Sequence, residues 1–391
     1  MSRLLATYDP LAITFTSGEG MWLIDEQEKR YLDAISGIGV NILGHSHPMW
    51  VAQAKEQAQR LVHVSNLYQI PEKEVLAERL CKLTNMDKVF FANSGSEANE
   101  TAIKVARLYG HRKNIEYPTI VVFDNAFHGR TVATLSASGA RQIQAGFEPL
   151  ASGFIRVPFG DLHALKKIAH SRRDVVAVLF EPIQGAGGIH VASIEFLQAL
   201  RQLCSEQKWL LMADEIQSGM GRTGKFLAIE HAGIHADVLT LAKGLANGIA
   251  IGACLTSGNT NHLFAPETHG STLGGNPFAC AMALKTIELL QSEKLIQNAH
   301  EQGKALLLAL TDEFSKHEAV KMIRGKGLMI GVECHAPCKK IFKIALQHGL
   351  LVNVPQPHVV RFLPPYIMQA KDIETIIQSY EKTLNDFVAS L

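Results

Sequence analysis

From Lys88 to about Thr256 the chain alternates short runs of β-branched and apolar residues with longer stretches whose apolar positions recur at helical spacing. That alternation builds βα units on a mostly parallel sheet. The short runs predict strands at Lys88–Ala92, Thr119–Phe123, Val175–Phe180, Trp209–Ala213, Asp237–Leu241 and Ile249–Leu255. Between them, Ala98, Ala102, Ile103 and Ala106 mark one stripe of a helix over Glu97–Tyr109. Phe196, Leu197, Leu200 and Leu203 do the same for Ile194–Gln207.

The two ends have a different texture. The first forty residues hold short strand-like pieces at Met21–Ile24 and Tyr31–Asp33 among turns. After Pro277 an Ala/Leu-rich helix runs from Phe278 to about Gln291 and a second from Ile296 to about Phe314. A strand pair near Gly327–Glu333 and Leu350–Asn353 and a final helix after Lys371 complete the pattern. The fold expected is α/β. A large domain, residues 46–277, forms around a mostly parallel sheet flanked by helices, with a smaller α+β domain, residues 278–391, and an N-terminal segment, residues 1–45, packed beside the latter. A length of 391 residues suits that division, at roughly 150 residues per domain.

Composition removes several function classes. Lys plus Arg (38) nearly cancels Asp plus Glu (37), so no basic field exists to hold a nucleic acid. Apolar residues at 47% and charged residues at 19% exclude a disordered chain. The most apolar long window, Val238 to Thr256, is broken by Lys243, Asn247 and glycines, which argues against a membrane span. The apolar run between Met1 and Pro10 is too short for a signal peptide. Six scattered cysteines read as reduced and the protein as cytoplasmic. No metal is expected. Cys334 and Cys338 lack a second pair to complete a zinc site, and His45 and His47 lack further ligands.

In open parallel sheets ligands collect beyond the carboxyl ends of the strands. Four polar segments stand at such places: Asn93-Ser94-Gly95-Ser96-Glu97, Glu181-Pro182-Ile183-Gln184-Gly185, Asp214-Glu215-Ile216-Gln217 and Lys243-Gly244. Asp214 ends an apolar strand, so its carboxylate needs a cation or a donor. It either caps a turn or holds a protonated heterocyclic nitrogen. Lys243 either lies on a surface turn or, desolvated at a central strand end, is nucleophilic toward a carbonyl, as a Schiff-base lysine is. Ser94-Gly95-Ser96, between strand and helix, reads as a plain N-cap or as an anion pocket suited to phosphate. Together the three suggest one ligand with a phosphate, an aldehyde and a ring nitrogen. A nucleotide-binding loop over Gly219–Lys225 fails, because Phe226 stands where a Ser or Thr hydroxyl must meet Mg²⁺. The acidic strand also lies too close before it.

At this point the chain resembles the class III aminotransferases of pyridoxal-phosphate fold type I. The resemblance spans nearly its whole length and rests on the segments above together with Phe127-His128-Gly129-Arg130, the run Asp214 to Gly224, Ala242-Lys243-Gly244 and His269-Gly270-Ser271-Thr272-Leu273-Gly274-Gly275-Asn276-Pro277. Within the class, Gly44-His45-Ser46-His47-Pro48, Ser65-Asn66-Leu67-Tyr68 and Val360-Arg361-Phe362-Leu363-Pro364-Pro365 look most like the acetylornithine aminotransferases. The resemblance implies that Lys243 bonds the cofactor aldehyde and later shuttles the proton, and that Asp214 binds the pyridinium nitrogen. Gln217 would reach the ring hydroxyl, Phe127 would stack on the ring, Gly95 and Ser96 would hold the phosphate, and Glu215 and Ile216 would complete the cofactor site. Thr272 would reach the phosphate of the neighbouring subunit, so a homodimer with shared sites is implied. Arg130 and Ser271 would hold the amine substrate, and Arg361 would clamp a substrate α-carboxylate.

The implied activity is transfer of the δ-amino group of N2-acetylornithine to 2-oxoglutarate, in arginine biosynthesis, with succinyl-diaminopimelate as a second substrate. One departure bears on it. Related enzymes carry Glu where this chain has Ala186, a Glu thought to pair with the arginine matching Arg361. Small residues there also occur in relatives acting on other ω-amines, which keeps ornithine, 4-aminobutyrate, diaminopelargonate and β-alanine-type substrates as the alternative. A catalytically silent cofactor-binding regulator is the reading from another class.

Overall fold

Strands that are apolar on both faces belong in the middle of a covered sheet, and Thr119–Phe123, Val175–Phe180 and Leu210–Asp214 are buried at every position. The computed structural model describes residues 3–391, so the first two residues of the N-terminal segment lie outside it. Its central sheet has seven strands in the order Lys88–Ala92, Gly252–Thr256, Val238–Leu241, Leu210–Asp214, Val175–Phe180, Thr119–Phe123, Phe154–Val157. Gly252–Thr256 runs antiparallel to both neighbours. The remaining pairs are parallel.

Period-two alternation sends side chains to opposite faces, and the two faces build separate apolar clusters. Val121, Phe123, Phe180, Leu211, Ala213, Leu239 and Leu241 join Phe196, Leu197, Leu200 and Leu203 of the helix Ile194–Gln207. Ile120, Val122, Leu179, Leu210, Met212 and Val238 join Ala102, Ile103, Val105 and Ala106 of the helix Gly95–Arg112. Helix starts carry their own signals. Ser94 accepts from the Glu97 N–H, Ser193 from Phe196 and Asn276 from Ala279, the last with Pro277 in the first turn.

The edge strand Phe154–Val157 is absent from the hydrophobic pattern because it is short and places the exposed Arg156 in its middle. The expected pairing near the C-terminus is corrected. Met329–Cys334 lies between Val320–Lys326 and Val359–Phe362, and Asn353–Gln356 adds to the far side of the latter. Leu350–Leu351 instead joins the N-terminal sheet, parallel to Arg30–Asp33, with Leu350 opposite Leu32. A two-residue apolar strand next to a longer one gives no pairing signal of its own.

Candidate active site

Four of the parallel strands deliver polar residues to one place. A cavity of about 560 Å³ opens beyond their carboxyl ends, with Gly95, Ser96, Phe127, Arg130, Asp214, Ile216, Gln217 and Lys243 in its wall. Asp214 is the last residue of its strand and 4% exposed. Its Oδ2 accepts from Asn99 Nδ2 at 2.7 Å and pairs with His128 Nδ1 at 2.8 Å, and its Oδ1 accepts from the Ile216 N–H at 3.1 Å. Those donors offset the cost of burying the carboxylate.

Lys243 follows the strand Val238–Leu241 with φ +42°, a left-handed conformation that an L residue adopts at a cost of about 1–2 kcal/mol. Gly244 behind it is forced, because a Cβ there would come within 2.9 Å of Ile42. Burial pushes the Lys243 amine down to about 8, against the pull of Asp214 and with a further push from Arg361. Glu181, 6% exposed, also lines the cavity and accepts from the N–H groups of Phe127 (2.8 Å) and Gly185 (3.2 Å). Burial raises its carboxyl above the usual range.

At the other end, Ser94 caps the helix Gly95–Arg112 and stands with Gly95 and Ser96 in the cavity wall. The Ser96 hydroxyl accepts from the Arg130 N–H at 3.1 Å and lies 3.0 Å from Thr134 Oγ1. The hollow is lined by glycines that cannot be replaced in place. A Cβ on Gly95 would stand 2.8 Å from Ile216, and one on Gly129, at φ +142°, 2.1 Å from Ser96 Oγ. A helix N-terminus with hydroxyls and no side chain in the way suits a phosphate. An amine of lowered proton affinity and a buried carboxylate share the same wall, so the residues present fit pyridoxal phosphate.

Four expected residues lie outside that wall. Glu215 turns away: its Oε2 accepts from Ser218 at 2.5 Å and its Oε1 from the Ile229 N–H at 2.9 Å. Burial raises that carboxyl to about 7, and its work is to anchor the loop after Asp214. Ser271 accepts from Asn93 Nδ2 at 3.1 Å and the Gly274 N–H at 2.9 Å and faces a separate hollow of about 300 Å³ beside Asn66 and Lys73. Thr272 is exposed. Arg361, 3% exposed on the strand Val359–Phe362, reaches the site through Gln217, donating from Nη1 to Gln217 Oε1 at 3.0 Å and from Nη2 to Asn353 Oδ1 at 2.7 Å. Over Phe127 stands the Arg130 guanidinium, 5.2 Å from the ring centroid. Asn99, Glu181 and Asn353 have no role in the sequence reading. Glu181 sits inside a segment singled out there and Asn99 two residues beyond another, whereas Asn353 gave no signal.

Comparison with known proteins agrees with this geometry. The model of the class-III aminotransferase family matches residues 5–384. The chain is 47% identical to the acetylornithine aminotransferase of Nitrosomonas europaea over 390 residues, 100% of this chain and 99% of that protein. The crystal structure of ornithine aminotransferase from Toxoplasma gondii superposes with a TM-score of 0.94 at 30% identity, covering 99% of this chain and 93% of that one. That of acetylornithine aminotransferase from Elizabethkingia anophelis does so with a TM-score of 0.88 at 30% identity, covering 98% and 96%. With the strand order, the cavity and these likenesses in agreement, the chain belongs to the class-III aminotransferases.

Proposed function

We propose that the chain, with pyridoxal phosphate, moves the δ-amino group of N2-acetylornithine to 2-oxoglutarate, giving N-acetylglutamate 5-semialdehyde and glutamate. The observation that carries this reading is the shared cavity wall of Lys243 and Asp214, an amine of lowered proton affinity facing a buried carboxylate. The full-length likeness to proteins named acetylornithine aminotransferase, at 47% and 48% identity, supports the choice of amine.

When bound, the cofactor supplies an electron sink for the charge left as a proton leaves carbon. The chain's own residues do the rest. Asp214 would hold the ring nitrogen protonated by its negative charge. Gly95, Ser96 and the first N–H groups of their helix hold the phosphate. The Lys243 amine, partly neutral near pH 8, would serve as the base and acid for the proton that carbon loses and regains. Arg130 and Arg361 receive carboxylates as bidentate donors and so fix the reacting carbon over the site. Gln217 offers its amide to the ring hydroxyl. In this reading the chain acts as a cytoplasmic homodimer in which the exposed Thr272 serves the partner's phosphate site, with the boundaries 46–277 and 278–391 separating its two domains. Among the described residues no helix is long and apolar enough to cross a membrane.

The test is the visible absorption of the purified, cofactor-loaded protein before and after N-acetylornithine is added without any oxo acid. Loss of the visible band supports both reaction and substrate. A band that persists with N-acetylornithine but is lost with ornithine or 4-aminobutyrate favours the second reading, another ω-amine, for which Ala186 is the supporting observation. No visible band after adding pyridoxal phosphate overturns the cofactor.

A further inference from the structure

The helix Gly95–Arg112 contributes to both ends of the cavity. Ser96 stands in its first turn among the hydroxyls of the phosphate hollow, and Asn99, three residues on, lies on the same side of the helix. Asn99 is 0% exposed and every polar atom of its amide is engaged. Nδ2 donates to Asp214 Oδ2 at 2.7 Å and to the His128 carbonyl at 2.8 Å, while Oδ1 accepts from Thr240 Oγ1 at 2.8 Å. Thr240 stands directly opposite Asp214 on the neighbouring parallel strand. The amide orientation is therefore dictated. The Asp214 carboxylate and the His128 carbonyl can only accept, so the Asn99 nitrogen must face them and its oxygen must face the Thr240 hydroxyl, which donates to it.

Two donors, Asn99 and His128, thus converge on one oxygen of Asp214. The other, Oδ1, accepts from the Ile216 N–H and keeps a lone pair free. Resting on the cofactor reading above, we propose that Asn99 is a positioning residue, which, held by Thr240, fixes the Asp214 carboxylate so that one defined oxygen meets the ring nitrogen. It does so from the same helix that holds the phosphate. The spacing between the anchor of the ring nitrogen and the anchor of the phosphate is then set by one rigid element and does not depend on the packing of a loop. His128 contributes the second donor, but it comes from the loop after Thr119–Phe123 and its Nε2 has no partner, so the rigid part of the arrangement is Asn99 and Thr240.

The experiment compares wild-type protein with Asn99→Leu, Asn99→Ser and Thr240→Val. It measures the affinity of the cofactor-free protein for pyridoxal phosphate, the pH midpoint of the visible band once loaded, and kcat and KM for N-acetylornithine. Asn99→Leu is expected to weaken cofactor affinity by about 10- to 100-fold, the worth of one hydrogen bond to a charged group. It should shift the pH midpoint of the band and lower kcat while leaving KM within about twofold. Thr240→Val removes the donor that steadies the Asn99 oxygen and should give a smaller loss in the same direction. It keeps a side chain of nearly the same shape, so it decides the matter if Asn99→Leu does not fold. Asn99→Ser, which restores a short donor, should recover part of the affinity. Variants that melt at a lower temperature but keep wild-type cofactor affinity, pH midpoint and kcat would overturn the proposal and leave Asn99 as packing alone. Wild-type protein that takes up no pyridoxal phosphate would instead overturn the function reading, and this proposal with it.

Discussion

Arg361 donates to Gln217 Oε1 at 3.0 Å, so the cation on the strand Val359–Phe362 is tied to a residue of the cavity wall three residues after Asp214. Its Nη2 donates to a second neutral amide, that of Asn353. Its Nε is buried without a partner. Burial lowers the guanidinium to about 10, with Glu181 pulling the other way. A buried cation with neutral partners gains most when a carboxylate arrives, because two charge-assisted hydrogen bonds then replace weaker contacts. Arg361→Met should therefore lower kcat/KM for 2-oxoglutarate by at least about 100-fold, and Arg361→Lys by less. Steady-state kinetics with 2-oxoglutarate varied checks this. A loss under threefold would take the carboxylate role from Arg361.

Ala186 gives the converse test. It lines the cavity, and its carbonyl accepts from Gln356 Nε2 at 2.8 Å, which fixes the backbone at that point. Ala186→Glu would offer Arg361 an internal carboxylate in competition with substrate. The expected result is a KM for 2-oxoglutarate raised by roughly tenfold with little change in the response to N-acetylornithine, as an internal ion pair with Arg361 must be broken on binding. Unchanged KM would mean that Glu at this position does not reach Arg361 in this scaffold.

The phosphate hollow can be tested through Gly129. At φ +142° it occupies backbone space closed to side-chain-bearing residues, and a Cβ would stand 2.1 Å from Ser96 Oγ and 2.5 Å from Thr134 Oγ1. Gly129→Ala must displace the Ser96 hydroxyl or the 127–130 loop. Cofactor affinity of the cofactor-free protein should fall by at least about tenfold, a loss of one hydrogen bond to a charged group. Equilibrium titration with pyridoxal phosphate measures it, and an unchanged affinity would remove Ser96 from the phosphate site.

The parts that the sequence expresses as a period were legible in it. Val175–Phe180 and Ile194–Gln207 fall where the apolar runs place them, because burial on both faces of a strand or along one stripe of a helix writes directly into residue type. The placing of Asp214 and Lys243 at one cavity was legible, since a lone charge after an apolar strand needs a reason. Phe154–Val157 was not, being an edge strand with a charge in it. Nor was Asn353, whose amide meets Arg361 only because two strands separated by a short turn lie side by side. Glu215 misled for a related reason. A carboxylate beside Asp214 in sequence points to the opposite side of the chain, as successive residues leaving a strand do, and meets Ile229 instead of the cavity.

Burial of the Lys243 amine also has a signature in stability against pH. Its value in the folded chain, about 8, lies below the ordinary 10.5. Below pH 8 the amine is charged in both folded and unfolded chains, so the folded chain bears the whole cost of desolvating it. Above about 10.5 it is neutral in both, and the cost is gone. Lys243→Met in the cofactor-free protein should therefore melt higher than wild type at pH 7, with the gap closing as pH rises from 8 to 10.5. In the same window the wild-type amine becomes reactive: at pH 7 about one in ten is already neutral, against fewer than about one in a thousand for an ordinary lysine. The rate of pyridoxal phosphate capture should rise with pH to a midpoint near 8. Thermal melts and capture rates across pH 6 to 11 check both, on roughly the scale of lysine titration. A melting gap constant over that range, together with a capture midpoint near 10.5, would mean that the folded site does not lower the proton affinity of Lys243.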